Sequence, residues 1–103
     1  MSRGPDIGTL LVRNLYRDSV AKNCPVEIVA SDWVRWASAT FVGARHAMTW
    51  KALPSPALET WLAGLPEADF DLRGHLLADL TIAAVTRTAT SVGIEIEALT
   101  VEG

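Results

Sequence analysis

The sequence predicts an α+β two-layer sandwich ordered α-β-β-α-β-β, with one four-stranded, mainly antiparallel sheet and two helices on one of its faces. Three observations predict it. Two stretches carry apolar residues at helical spacing, each is followed by a pair of strand-like stretches, and proline or glycine marks most of the junctions between them. The whole of 1–103 reads as one domain: a flexible leader over 1–6, a first helix-hairpin unit over 7–50 and a second over 55–102.

The first helix is predicted from Ile7 to about Lys22. Ile7, Leu11 and Leu15 recur three to four apart, while Arg13, Asn14, Arg17 and Asp18 occupy the other side. Asn23-Cys24-Pro25 ends it, because the residue before a proline is pushed out of the helical region. Pro25 to about Trp36 and Thr40 to about Trp50 then read as a hairpin through Ala37-Ser38-Ala39, without the Asn-Gly or Asp-Gly turn that usually announces one. Ser55 suits an N-cap and Pro56 the first position of a second helix, which carries Leu58, Trp61, Leu62 and Leu65 and stops at Gly64-Leu65-Pro66. After a polar connection over 67–74, His75 to about Arg87 and Ser91 to about Glu102 form the second hairpin, turning at Thr88-Ala89-Thr90. One sheet built in this order is what a circularly permuted ferredoxin-like sandwich would give, an architecture that hosts many unrelated functions.

Strand faces follow from pairing like with like, since a one-residue slip sends every side chain to the other face. Pairing Ile82 with Ile96 sets Ala84 against Ile94 and Leu80 against Ala98 on the helix side. It leaves Thr81, Asp79 and Leu77 opposite Glu97, Leu99 and Val101 on the open side. Pairing Val34 with Val42 sets Ile28 against Met48 and Val26 against Trp50. It leaves Trp33 opposite Gly43, Arg35 opposite Phe41 and Ser31 opposite Arg45 on the open side. That open side is then more apolar than a solvated face should be, which is the mark of an interface.

Composition narrows the alternatives. Nine basic and twelve acidic residues give a net charge of −3, which disfavours nucleic acid and anionic membranes as partners because both require a concentrated basic footprint. One cysteine, Cys24, cannot form an intrachain disulfide, and no apolar run approaches the roughly 20 residues of a membrane span. A cytoplasmic location is expected.

The leading functional expectation is non-enzymatic: self-association into a dimer or larger assembly, or docking of a protein partner, over the open face. Its interface residues are Trp33, Phe41, Arg35, Arg45, Leu77, Leu99 and Val101, and Trp33→Glu is the substitution expected to disrupt it. The alternative is a small-molecule enzyme or ligand-binding domain. There His46 and Asp32 share the helix-facing side as an imidazole–carboxylate pair, and Arg45 anchors an anion. A third reading takes Trp33, Phe41, Arg35 and Arg45 as a stacking and phosphate platform for single-stranded nucleic acid. No cofactor or metal is expected. His75, Asp69, Asp71 and Asp79 lack ligand spacing, and Cys24 sits at the C-terminal pole of a helix, where a thiolate is not favoured.

Overall fold

In the computed structural model, which describes residues 6–103, the elements follow the predicted order. They are α1 (Ile7–Ala21), β1 (Glu27–Ala37), β2 (Val42–Ala52), α2 (Pro56–Gly64), a short 3-10 turn (Leu65–Glu67), β3 (His75–Arg87) and β4 (Val92–Glu102). The leader of the sequence reading lies outside the described residues except for Asp6, which is a cap and not leader. Its carboxylate accepts the Thr9 backbone N–H at 2.8 Å, and that bond holds it below the usual carboxylate range.

The end of α1 shows why Asn23-Cys24-Pro25 stops it. Asn23 takes a left-handed φ of 61°, its N–H donates to the Val20 carbonyl, and the Cys24 N–H donates to Ser19 at 2.9 Å. This pairing closes two otherwise orphaned carbonyls, with Asn in the place glycine usually fills. The buried Ser19 hydroxyl donates to the Tyr16 carbonyl and accepts the Val26 N–H, which fixes the angle at which the chain leaves the helix. Ser55 caps α2 as expected, accepting the Leu58 N–H at 3.0 Å.

All strand pairs are antiparallel, and the sheet order is β1-β2-β4-β3. That is the order produced by moving the first strand of a βαββαβ chain to its end, a statement about connectivity that implies no kinship. Both helices lie on the side of His46, Met48 and Trp50. Trp61 of α2 stacks on Trp50 with centroids 5.5 Å apart, and a Cβ on Gly8 of α1 would meet Trp33 Nε1 at 2.7 Å. Between the layers sits one core that includes Leu11, Leu15, Trp50, Leu58, Leu65, Ile94 and Ile96. Asp18 joins the two helices by accepting the Trp61 indole N–H at 2.7 Å while pairing with Lys22. Burial works to raise its pKa, but these two donors outweigh it and hold the carboxyl below its ordinary value.

Both hairpins turn on a hydroxyl. Ser38 Oγ accepts the Thr40 and Phe41 N–H groups, and Thr88 Oγ1 accepts those of Thr90 and Ser91. Such a side chain replaces the Asn-Gly signal that the sequence lacks. The segments Ser38-Ala39-Thr40-Phe41-Val42-Gly43 and Thr88-Ala89-Thr90-Ser91-Val92-Gly93 are related by a shift of fifty positions and fold alike.

Register is where the sequence reading needs correction. The second hairpin keeps Leu80↔Ala98, Thr81↔Glu97 and Ile82↔Ile96, but irregularities between Leu77 and Asp79 and between Ile82 and Ala84 move the flanks. Ala84 therefore opposes Glu95, and Leu77 opposes the buried Thr100 and packs against the core. The first hairpin departs further: Val34 opposes Arg45 instead of Val42, and Trp33 opposes His46. The turn centred between Ala39 and Thr40 shifts the pairing by three positions, and an odd shift exchanges the faces. Asp32, Val34 and Trp36 thus lie on the open side, whereas Trp33 and Arg35 lie on the helix side.

Candidate functional site

The uncovered face of the sheet carries the most conspicuous feature of the surface. Near one end, Val34 and Trp36 come from β1, Arg45 from β2, Leu99 and Val101 from β4, and Leu76 from β3, with Phe41 in the adjoining turn. Val34, Phe41 and Leu76 are 60%, 55% and 65% exposed. The Trp36 indole lies along Gly43, where a Cβ would stand 2.8 Å from its ring, and its Nε1–H is buried without a partner among the described residues. Toward the other end the face becomes small and acidic. Ala30, Ala47, Thr49, Asp32, Glu95 and Glu97 line a shallow depression of about 470 Å³.

Of the seven interface residues read from the sequence, Phe41, Arg45, Leu99 and Val101 belong to this end of the molecule. Trp33 and Leu77 point into the helix side, and Arg35 lies on that side with an exposed contact to Glu102 at 3.8 Å. Val34, Trp36 and Leu76 were missed. Because the same exchange of faces divides Trp33 and Arg35 from Arg45, and Phe41 lies in the turn beyond both strands, these four do not form one platform for stacked bases.

The exchange also separates His46 from Asp32. Asp32 is exposed on the open side, where its carboxylate accepts the backbone N–H of Trp33. His46 is 4% exposed on the helix side, beneath the Trp33 ring, with centroids 6.3 Å apart. Its Nε2 lies 2.9 Å from the hydroxyl of buried Thr100, and that hydroxyl donates onward to the Ala44 carbonyl at 3.5 Å. With its own proton directed to Ala44, the Thr100 hydroxyl accepts from the imidazole Nε2–H. Burial is the main cause of a lowered His46 pKa; the charge of His75 adds to it and Asp6 opposes it. The imidazole is a buried group tied to Thr100 and, with Asp32 on the other face, is not half of an imidazole–carboxylate pair.

A stability consequence follows from that burial. The unfolded chain takes up a proton at this residue near pH 6.5, whereas the folded chain resists it until lower pH. The contribution of His46 is thus complete above about pH 6.5 and is lost as pH falls below it, at up to about 1.4 kcal/mol per pH unit. The depressed carboxylates Asp6, Asp18 and Glu59 lose their contributions in a separate window, below the ordinary carboxylate range. Urea midpoints should fall between pH 7.5 and 5.5 in the native protein and change much less in His46→Gln; equal slopes would refute this assignment.

The remaining candidates are placed apart. Cys24 is buried, and burial, with the Asp18 charge, raises its thiol pKa against the opposing effect of Lys22, so it is a poor nucleophile. Asp79 lies on the open side with a hydrogen bond from Thr81, while the His75 ring is tied to the Arg73 carbonyl. Among the described residues no three His, Cys, Asp or Glu side chains gather as a metal site, and no helix is long and apolar enough to cross a membrane. No protein-family model and no curated protein sequence matches the chain.

Proposed function

We propose that the protein is a self-associating domain whose working surface is the apolar end of its open sheet face. The observation that supports this is the run of exposed Val34, Phe41 and Leu76 around Trp36, Leu99 and Val101, on a face that neither helix covers. A second copy is the occupant this surface suits, because it carries charges of both signs. Arg45 stands one diagonal step from Asp32 and Glu97, so a two-fold axis can set the cation of one copy against the acids of the other. The edge strand β1 adds to the surface, since Ala30 to Ala37 runs regularly past its single irregularity at Ile28–Ala30 and is exposed except for half-buried Trp36. A dissimilar protein docking on the same patch is the competing occupant.

The corrected register changes the test substitution. Trp33→Glu would strike the contacts to Gly8 and His46 and so confound association with folding. Val34→Glu alters only an exposed side chain and should lower the sedimentation coefficient at high concentration, leaving the melting curve nearly unchanged. A native protein that sediments as a dimer and a Val34→Glu variant that does the same would reject this surface.

A further inference from the structure

On the helix layer, away from the open sheet face, three arginines converge on one groove. Arg13 and Arg17 stand one turn apart on α1, and Arg73 and His75 approach from the connection into β3. With Leu10, Asn14 and Asp71 they line a groove of about 620 Å³. This gathers three of the nine basic residues of a chain whose net charge is −3. None of the three arginines takes part in an ion pair among the described residues, a condition they share with Arg45 and Lys51, whereas Lys22, Arg35 and Arg87 each have a carboxylate partner.

The surroundings are those of a binding site more than of a solvated helix face. The His75 Nδ1–H donates to the Arg73 carbonyl at 3.0 Å, which orients the ring and leaves Nε2 for another partner. Asn14 donates to the Leu10 carbonyl at 2.8 Å and keeps its side-chain oxygen and a second N–H in reserve. Leu10 supplies an apolar wall, and the groove falls in the range of about 300–1,000 Å³ usual for small-molecule sites.

We propose that this groove binds a small soluble molecule bearing a phosphate or diphosphate group. Guanidinium forks grip phosphate oxygens in pairs, and cations on both walls can hold one anionic group between them. Asp71 on the same rim disfavours a bare polyanion but accepts a hydrogen bond from a hydroxyl, which selects a phosphorylated polar molecule such as a sugar phosphate.

Calorimetric titration of the full chain with inorganic pyrophosphate and with ribose phosphate, at fixed ionic strength, tests the proposal. The expected result is one saturable site for both probes, with ribose phosphate held more tightly per unit charge. Arg17→Gln and Arg73→Gln should each weaken it about tenfold or more, while Arg45→Gln, on the opposite face, should leave it unchanged. All three arginines are exposed, so the variants should melt with the native protein. Absence of saturation, equal weakening by Arg45→Gln, or capture by phosphoinositide vesicles without binding of either soluble probe would overturn the proposal.

Discussion

Trp50→Ala should destabilise the domain by about 4 kcal/mol, close to the limit a chain of this size can lose and still fold. Trp50 is fully buried on central strand β2, between Ile28 of β1 and Ile94 of β4. It also carries the stack with Trp61, so one truncation empties a large volume between the layers and removes one of the contacts that seat α2, beside those of buried Leu58 and Leu62. The indole Nε1–H makes no hydrogen bond among the described residues, so removing it forfeits none and relieves the cost of burying an unpaired donor. Trp50→Phe should therefore cost much less than Trp50→Ala. Trp61 is the contrasting case: its Nε1–H donates to Asp18, and Trp61→Phe leaves a carboxylate oxygen without that donor. Urea unfolding of these three variants checks the ranking, and a Trp50→Ala loss below about 2 kcal/mol would mean that the stack is not the centre of the core.

Gly43→Ala should cost about 2–3 kcal/mol, while the matching Gly93→Ala should be neutral or slightly stabilising. The two glycines are equivalent under the fifty-position shift between the halves, yet their surroundings differ. A Cβ at Gly43 overlaps the Thr100 carbonyl and presses on the Trp36 ring at 2.8 Å, in a strand held on both sides by β1 and β4. A Cβ at Gly93 meets only the Thr86 carbonyl, at 3.9 Å. Gly43 is thus required by the Thr100 carbonyl first and by the indole that lies across it second, and Gly93 faces neither constraint. Thermal melts of the pair, with tryptophan emission reporting displacement of Trp36, measure the difference directly.

Much of the fold was legible because its signals are local. Ser55-Pro56 places the start of α2, Asn23-Cys24-Pro25 the end of α1, and the spacing of Ile7, Leu11 and Leu15 identifies the buried stripe. The face of β1 was not legible, for two reasons. Val29, Trp33, Val34 and Trp36 put apolar groups on both parities, so alternation does not choose a face. The register depends on a four-residue turn closed by the Ser38 hydroxyl, which carries no glycine. Aligning Ser38-Ala39-Thr40 with Thr88-Ala89-Thr90 exposes the shared turn, but the face of Trp33 follows only from the Ala37↔Val42 pairing that this turn sets, matched by Arg87↔Val92 beyond the irregularity in β3. The shift of Leu77 arises from an edge-strand irregularity, and such features blunt exposed edges without leaving a sequence signature. The arginine groove was hidden for a different reason: Arg13 and Arg17 read as the solvated side of a helix, and only the tertiary path of residues 71–75 brings Arg73 and His75 beside them.

Light scattering of the native protein over a wide concentration range tests the self-association account most directly. The account predicts a mass rising from that of one 11.1 kDa chain to that of two or more, with Val34→Glu holding the single-chain mass throughout. A mass that stays at one chain at every concentration would contradict it and assign the apolar end of the sheet to a different partner.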